Sequence, residues 1–178
     1  MAGAAEQFQL SVRKRKATPF TRDHAVPPGT VQARSRELEQ ACTIDKVVEG
    51  LRAKDLEAIR QLYTTDVVSF DAEPPLQHVG IAAKLENWAK VLLFFASVTY
   101  EVRDLTFIVS DDVAFGHAFA RLSGTLKNGT ATSGMWVRVT HGMRKIDDTW
   151  LIAHDQVSVP LDIPSGKGVV ALEPVTKI

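Results

Sequence analysis

The sequence lacks the features that mark several classes of protein. Cys42 is the only cysteine among 178 residues, so no intrachain disulfide can form, which fits a reducing compartment and predicts a cytoplasmic protein. No apolar run approaches the roughly 18 residues of a membrane span, and the N-terminus has no signal-peptide core. Basic side chains (21) balance acidic ones (21), so overall charge favours neither nucleic-acid nor membrane binding.

The charge is nevertheless unevenly distributed. Residues 1–36 hold seven basic and two acidic side chains, whereas the other 142 residues hold 14 basic and 19 acidic ones. We predict a mobile basic arm over 1–34, one domain over 35–162, and an irregular tail over 163–178 that packs on the domain. The arm is either a solvated tail or, through RKRK at 13–16, a nuclear-import signal or a patch for anionic surfaces. The acidic balance of the domain disfavours nucleic-acid binding by the folded part.

Apolar periodicity predicts an α+β domain. Helical spacing indicates helices over 35–53 and 81–95, and Asp55 can cap a short helix between them. Strands are predicted over 66–71, 98–109, 112–125, 132–146 and 149–160, the last four joined by short hairpin connections. A strongly curved antiparallel sheet packed on about three helices would form a cone-shaped α+β barrel with a cavity inside.

The last strand carries polar residues that need partners if they are buried. In TWLIAHDQVSVPLD (149–162), His154 and Gln156 share one face and Asp155 lies on the other, because strand side chains alternate. Asp155 would then look outward, towards an arginine across the sheet or a second subunit. Two neighbouring strands also place histidine or arginine among aromatic residues on one face. We predict that these faces meet in the cavity, unless a bulge breaks the alternation; the residues concerned are His117, Arg121, Trp136, Arg138, His154 and Gln156.

Asp71 is the first candidate for chemistry. A carboxylate at the mouth of an apolar cavity can move protons at neutral pH, although Asp71 could equally cap the proline loop 72–80. His117 and His154 are candidate acid–base or orienting groups, since histidine titrates near neutral pH, with a structural role as the alternative. His78, on a loop, and His141, on the expected outer face, are weaker candidates.

Arginines and aromatic residues are candidates for holding a ligand. Arg121 and Arg138 could clamp a carboxylate or enolate oxygen, or form structural ion pairs within the sheet. Three aromatic residues are expected to line the cavity, whose wall is also part of the hydrophobic core: Tyr63, Trp88 and Trp136. The sequence has no His-x-x-x-His, His-Glu-x-x-His or paired cysteines, so we predict no metal. Glycine-rich phosphate loops and a serine nucleophile elbow are also absent, and we predict no cofactor.

Two stretches resemble a known superfamily. Residues 51–80, LRAKDLEAIRQLYTTDVVSFDAEPPLQHVG, resemble the start of ketosteroid isomerases, and GMWVRVTHGMRKIDDTWLIAHDQVSVPLD (134–162) is similar to the SnoaL-like branch of the nuclear transport factor 2-like superfamily. The resemblance covers roughly 35–162 and implies the cystatin-like cone fold, with Asp71 where the isomerases keep their proton-shuttling carboxylate. The isomerase oxyanion hole is not reproduced, because Val47 replaces its tyrosine and residues 140–142 are not acidic. Gln156 also stands where the branch has a second histidine.

Together these features predict a protein that binds a small hydrophobic or carbonyl-bearing ligand. If the protein is an enzyme, we expect cofactor-free proton transfer of the isomerase, cyclase or dehydratase type. The alternatives are a non-catalytic ligand-binding domain and a protein-interaction domain whose working part is the basic arm. The resemblance also implies a homodimer formed through the sheet.

Overall fold

The computed structural model describes residues 31–175, with side chains from residue 37 onward. In chain order the elements are α1 (Val31–Ala53), α2 (Leu56–Arg60), β1 (Tyr63–Phe70), β2 (His78–Val79), α3 (Ile81–Leu92), β3 (Phe95–Val109), β4 (Val113–Leu126), β5 (Ala131–Thr132), β6 (Trp136–Ile146), β7 (Thr149–Ser158), β8 (Leu161–Asp162) and β9 (Lys167–Gly168). The predicted arm lies almost wholly outside the described residues, so its role stays a prediction.

Local signals in the sequence account for the helix boundaries. The Asp55 carboxylate accepts hydrogen bonds from the backbone N–H groups of Glu57 and Ala58, which caps α2 as predicted. Helix α3 ends at Leu92 rather than at residue 95, because Phe95 already belongs to β3. Across residues 31–175, no helix has the length and apolar character needed to cross a membrane.

The sheet is mixed and open. Its strand order is β2-β1-β7-β6-β4-β3, with β5 paired to β4, and only β1 and β7 run parallel among the described pairs. The predicted α+β class with three helices on one curved sheet is confirmed, but the sheet is neither purely antiparallel nor closed into a barrel. The parallel pair arises because the chain returns to β1 only after passing through α3 and the β3–β4–β6 meander.

The helices cover the inner face of the sheet and form one main core with it. Fully buried apolar side chains come from α1, α2 and the strands: Leu51, Ile59, Val67, Met143 and Ile152. From Ala114 to Ala120, strand β4 contributes only small residues to this face: Ala114, Gly116, Ala118 and Ala120. The Phe107 ring lies over Gly116, where an added Cβ would come within 2.3 Å of a ring carbon. The small residues leave room for large side chains and for an internal space.

The C-terminal tail contains one short regular element. Residues 161–168 form a hairpin of β8 and β9, and residues 169–175 form no helix or strand. Most of its apolar side chains are exposed, Ile163 by 84% and Val175 by 87%, whereas Val169 is partly buried.

Candidate functional site

A β-bulge in β7 decides which polar residues face the cavity. Gly142 pairs with His154 but Met143 pairs with Ile152, so Ala153 is an extra residue in β7. The extra residue reverses the alternation: Ile152 faces the core before the bulge and Asp155 faces it afterwards. The prediction that His154 and Gln156 face the cavity while Asp155 looks outward is therefore wrong.

His154 and Gln156 lie on the outer face of the sheet. His154 Nδ1 is 2.6 Å from the Val68 carbonyl oxygen, and its ring meets the edge of Phe70 at 5.0 Å between centroids. Gln156 is exposed.

The other four residues predicted to face the cavity also lie on the outer face. His117 and Arg138 are exposed. Trp136 is buried between two guanidinium groups, those of Arg103 and Arg121, each 4.6 Å from the ring. Arg121 also bonds a Glu101 oxygen at 2.7 Å, which is the structural ion pair left open by the sequence. The sequence prediction chose the wrong face of β4, because the small residues of that strand, and not its aromatic ones, pack against the helices.

A buried lysine lies at the centre of the inner face. Lys84 of α3 is 1% exposed, and its ammonium group donates to Ser69 Oγ at 2.8 Å and Asp71 Oδ1 at 2.9 Å. The same Nζ atom is 3.1 Å from Asp155 Oδ2. It also lies 5.7 Å from the centre of the Trp88 ring. Lys84 thus bridges two carboxylates that would otherwise repel each other in a low-dielectric interior.

Asp71 is held by three side chains from two elements, β2 and α3. Besides Lys84, Asn87 donates to Asp71 Oδ2 at 2.9 Å, and His78 Nε2 approaches the same oxygen to 3.5 Å. The Asp71 side chain keeps 10% of its surface exposed. Its partners are these side chains and not the amides of the proline loop, so the capping alternative does not describe its surroundings.

Asp155 and its neighbours form the deeper part of the cluster. Burial alone would raise the pKa of Asp155, but the Lys84 ammonium, the Ser69 hydroxyl and His141 together outweigh it, and the net direction is downward. Tyr63 donates its hydroxyl proton to Asp155 Oδ2 at 3.3 Å, and burial followed by this carboxylate raises the pKa of Tyr63. Burial lowers the pKa of His141, the cross-strand neighbour of Asp155, to about 4, so its imidazole is neutral at neutral pH.

The depressed pKa of His141 makes stability depend on pH. Its pKa falls from 6.5 to about 4 on folding, so the unfolded chain binds more protons in that interval. Acidification from pH 6.5 to 4 should therefore cost on the order of 3 kcal/mol of unfolding free energy through this group alone. Urea unfolding at a series of pH values measures this slope. His141→Asn should flatten it, whereas His117→Asn on the outer face should not; equal slopes in all three proteins would contradict the assignment.

An apolar pocket opens beside the cluster. It measures about 420 Å³, within the range of small-molecule sites, and Asp71 and Asn87 supply polar groups to its wall. Most of the remaining wall is aromatic or aliphatic: Trp88, Val91, Phe95, Tyr100, Leu122, Val137 and Val157. Burial raises the pKa of Tyr100, and the carboxylates of Asp155 and Asp71 raise it further. Its phenol therefore stays protonated and can donate a hydrogen bond.

Tyr63 and Trp88 lie beside the internal space, as expected, whereas Lys84 and Tyr100 were not among the candidates and His141 was expected on the outer face. Lys84, Tyr100 and His141 line an enclosed space of about 20 Å³ that shares Trp88, Tyr100 and Val157 with the larger pocket. The sequence did carry a signal for Lys84, since it lies one residue before Leu85 and four before Trp88 on the apolar stripe of α3.

Within residues 31–175, no three His, Cys, Asp or Glu side chains gather in a way that could hold a metal ion.

Comparison with known families identifies the domain. The model of the SnoaL-like domain matches residues 41–162, more than half of the chain. The chain belongs to the SnoaL-like family. The resemblance drawn from residues 51–80 and 134–162 is thereby confirmed.

Solved structures carry the same fold as this SnoaL-like protein. A nuclear transport factor 2-like protein of unknown function from Pseudomonas putida KT2440 is 25% identical, with a TM-score of 0.71 over 79% of this chain and 98% of that one. A superfamily protein from Salmonella enterica serovar Typhimurium is 17% identical, with a TM-score of 0.65 over 76% and 99%. A Streptomyces avermitilis protein whose name proposes a dehydratase is 16% identical, with a TM-score of 0.63 over 71% and 97%. No protein of curated function matches this chain.

Proposed function

We propose that this SnoaL-like protein binds a small, largely apolar carbonyl compound and transfers a proton on it without a cofactor. The observation that carries the proposal is the placement of Asp71, a carboxylate fixed by Lys84 and Asn87 in the wall of a mostly apolar pocket. A base held in this way meets a bound ligand in a fixed orientation.

Asp71 would remove a proton from the carbon next to the carbonyl group. Lys84 and Asn87 orient the carboxylate from the side of α3, so that the remaining lone pairs are available to the pocket. The loss of that proton places negative charge on the carbonyl oxygen as an enolate. An enolate needs a hydrogen-bond donor in the same pocket.

Tyr100 is the candidate donor. Its ring packs edge-on against Trp88, 6.1 Å between centroids, and it lines the same pocket as Asp71. A phenol that stays protonated beside an apolar pocket can donate to a developing oxyanion. This role replaces the isomerase tyrosine, whose matching position is occupied by Val47 in α1.

Hydrogen exchange in heavy water tests the proposal. Benzylacetone, an aromatic ketone, would be incubated with the wild-type protein in D₂O, and deuterium at its α-carbons followed by mass spectrometry. We expect catalysed exchange, together with a rise of the melting temperature with ketone concentration. Exchange no faster than in buffer, for benzylacetone and for a panel of aliphatic and polycyclic ketones alike, would refute proton transfer. A melting-temperature rise without exchange would instead support the ligand-binding alternative.

The outer face of the sheet is where we expect a second copy to bind. Ile108 and Phe115, 73% and 50% exposed, lie on this face beside arginines and aromatic residues, a composition typical of interface cores. Light scattering should report a dimer for the wild type and a monomer for Phe115→Glu. The control Leu76→Glu, in the exposed loop after β1, should leave the dimer intact; a wild-type monomer would rule out this prediction.

A further inference from the structure

The enclosed space beside Lys84 has an unusual set of polar atoms around it. Three buried polar atoms lack a hydrogen-bond partner among residues 37–175 and belong to residues that line it: Trp88 Nε1, His141 Nδ1 and Asp155 Oδ1. They come from α3, β6 and β7, so three separate elements bring them together. Ala118 and Ala120 of β4 also line the space, and their small side chains leave it open.

The size and the chemistry of this space match one water molecule. Its volume is about 20 Å³, and about 10–15 Å³ is enough for one water. The indole N–H of Trp88 is a donor, the Asp155 carboxylate oxygen is an acceptor, and the neutral imidazole of His141 accepts at Nδ1 in one tautomer. A water there would accept one hydrogen bond and donate two, which satisfies all three buried groups.

We propose that this space is a water site of the active centre, and that the substrate is a β-hydroxy carbonyl compound from which water is eliminated. The inference rests on the proposed function, because Asp71 must first take the α-proton. The space adjoins the ligand pocket through Trp88, Tyr100 and Val157, which line both. A hydroxyl group carried by the ligand next to Trp88 can leave into the space.

Every proton that is released in this reaction is taken up again within the cluster. Asp71 takes the α-proton, the electrons of that C–H bond form the carbon–carbon double bond, and the bond from the β-carbon to oxygen breaks. The departing oxygen takes a proton from the Lys84 ammonium, which lines the space, and becomes water. Asp71 then returns its proton to Lys84 Nζ across their 2.9 Å contact. No oxidant, reductant or further reactant is required, and the reverse steps add water to a conjugated enone.

Two probes of the same carbon skeleton separate this inference from the proposed function. Benzylacetone has no β-hydroxyl group and reports only α-proton exchange in D₂O. Its β-hydroxy analogue, 4-hydroxy-4-phenylbutan-2-one, reports elimination through the absorbance of the enone. We expect the wild-type protein to catalyse both reactions. Exchange without elimination would overturn the water inference and leave the proposed function standing, whereas the absence of both would overturn the two together.

A variant that fills the space tests the site itself. Ala118→Val places two methyl groups where the water would lie and should slow elimination about tenfold more than exchange. Thr140→Val, whose side chain lies on the outer face one residue before His141, is the matched control and should change neither rate. Equal slowing of both reactions by Ala118→Val would show that the space has no separate part in elimination.

A high-resolution crystal structure of the wild-type protein gives an answer that does not depend on activity or on the stability of the variant. We expect an ordered water within hydrogen-bond distance of Trp88 Nε1, His141 Nδ1 and Asp155 Oδ1. Trp88→Phe, which removes the donor, should weaken or displace that water. An empty space in the wild-type electron density would overturn the site.

Discussion

Replacement of Lys84 by methionine should lower the free energy of unfolding by about 3–5 kcal/mol, because it leaves two buried carboxylates without their shared cation. Lys84 is 1% exposed, and its ammonium contacts both Asp71 and Asp155. Methionine keeps most of the side-chain volume, so the loss would come from charge and hydrogen bonding and not from a cavity. The loss should shrink in acid, where protonation neutralises the carboxylates that the variant leaves unpaired.

Urea unfolding at several pH values measures this effect. The matched control is Lys90→Met on the same helix, since Lys90 pairs with Glu86 at 2.8 Å while both side chains stay about two-thirds exposed. An exposed pair of this kind should give no measurable change. If Lys84→Met were as stable as the control at neutral pH, Lys84 would not be the cation that holds the two carboxylates together.

The fold could be predicted well because its signals are local. The apolar stripe of α3 and the cap at Asp55 each depend on a few neighbouring residues, and these elements formed as expected. The parallel pairing of β1 with β7 could not be predicted in this way. It joins strands far apart in the sequence, and neither strand carries a pattern that selects a parallel partner.

The site was harder to predict because it depends on one inserted residue. A single bulge at Ala153 reverses which side chains of β7 face inward. Strict alternation therefore predicts that His154 faces the core, whereas in the structure Asp155 faces it. The aromatic and charged residues of β4 also led to the wrong face of that strand being assigned to the cavity. A cavity needs small residues on its wall, and Ala118 and Ala120 on the other face provide them. Lys84 was the one available clue, a charged residue within an apolar helical stripe.

Both parts of the site depend on Lys84. Its ammonium touches Asp71 at the ligand pocket and Asp155 at the enclosed space, so one side chain links the proposed base to the proposed water site. A purely structural ion pair would need only one carboxylate. The second carboxylate gives the cluster an excess negative charge when Lys84 is protonated, which suits a group that must both accept and return a proton.

Replacement of Asp71 by asparagine should reduce catalysed deuterium exchange on benzylacetone by about 10²–10⁴-fold, the usual contribution of a general base. Asparagine has nearly the same shape and can still accept a hydrogen bond from Lys84, but its amide cannot take up the α-proton. The fold should persist, because Asp155 remains as a charged partner of Lys84. Circular dichroism and the melting temperature check the fold, and the exchange rate in D₂O checks the chemistry.

The control for Asp71→Asn is Asp66→Asn on β1, the strand that Asp71 directly follows; the Asp66 carboxylate is 65% exposed and pairs with Arg144 at the surface. It makes the same chemical change outside the pocket and should leave exchange unaltered. Ligand binding separates the remaining alternatives, because a rise in melting temperature with benzylacetone should survive in Asp71→Asn. Unchanged exchange in a folded Asp71→Asn protein would remove Asp71 from the role of base, and exchange lost together with binding would assign it to holding the ligand.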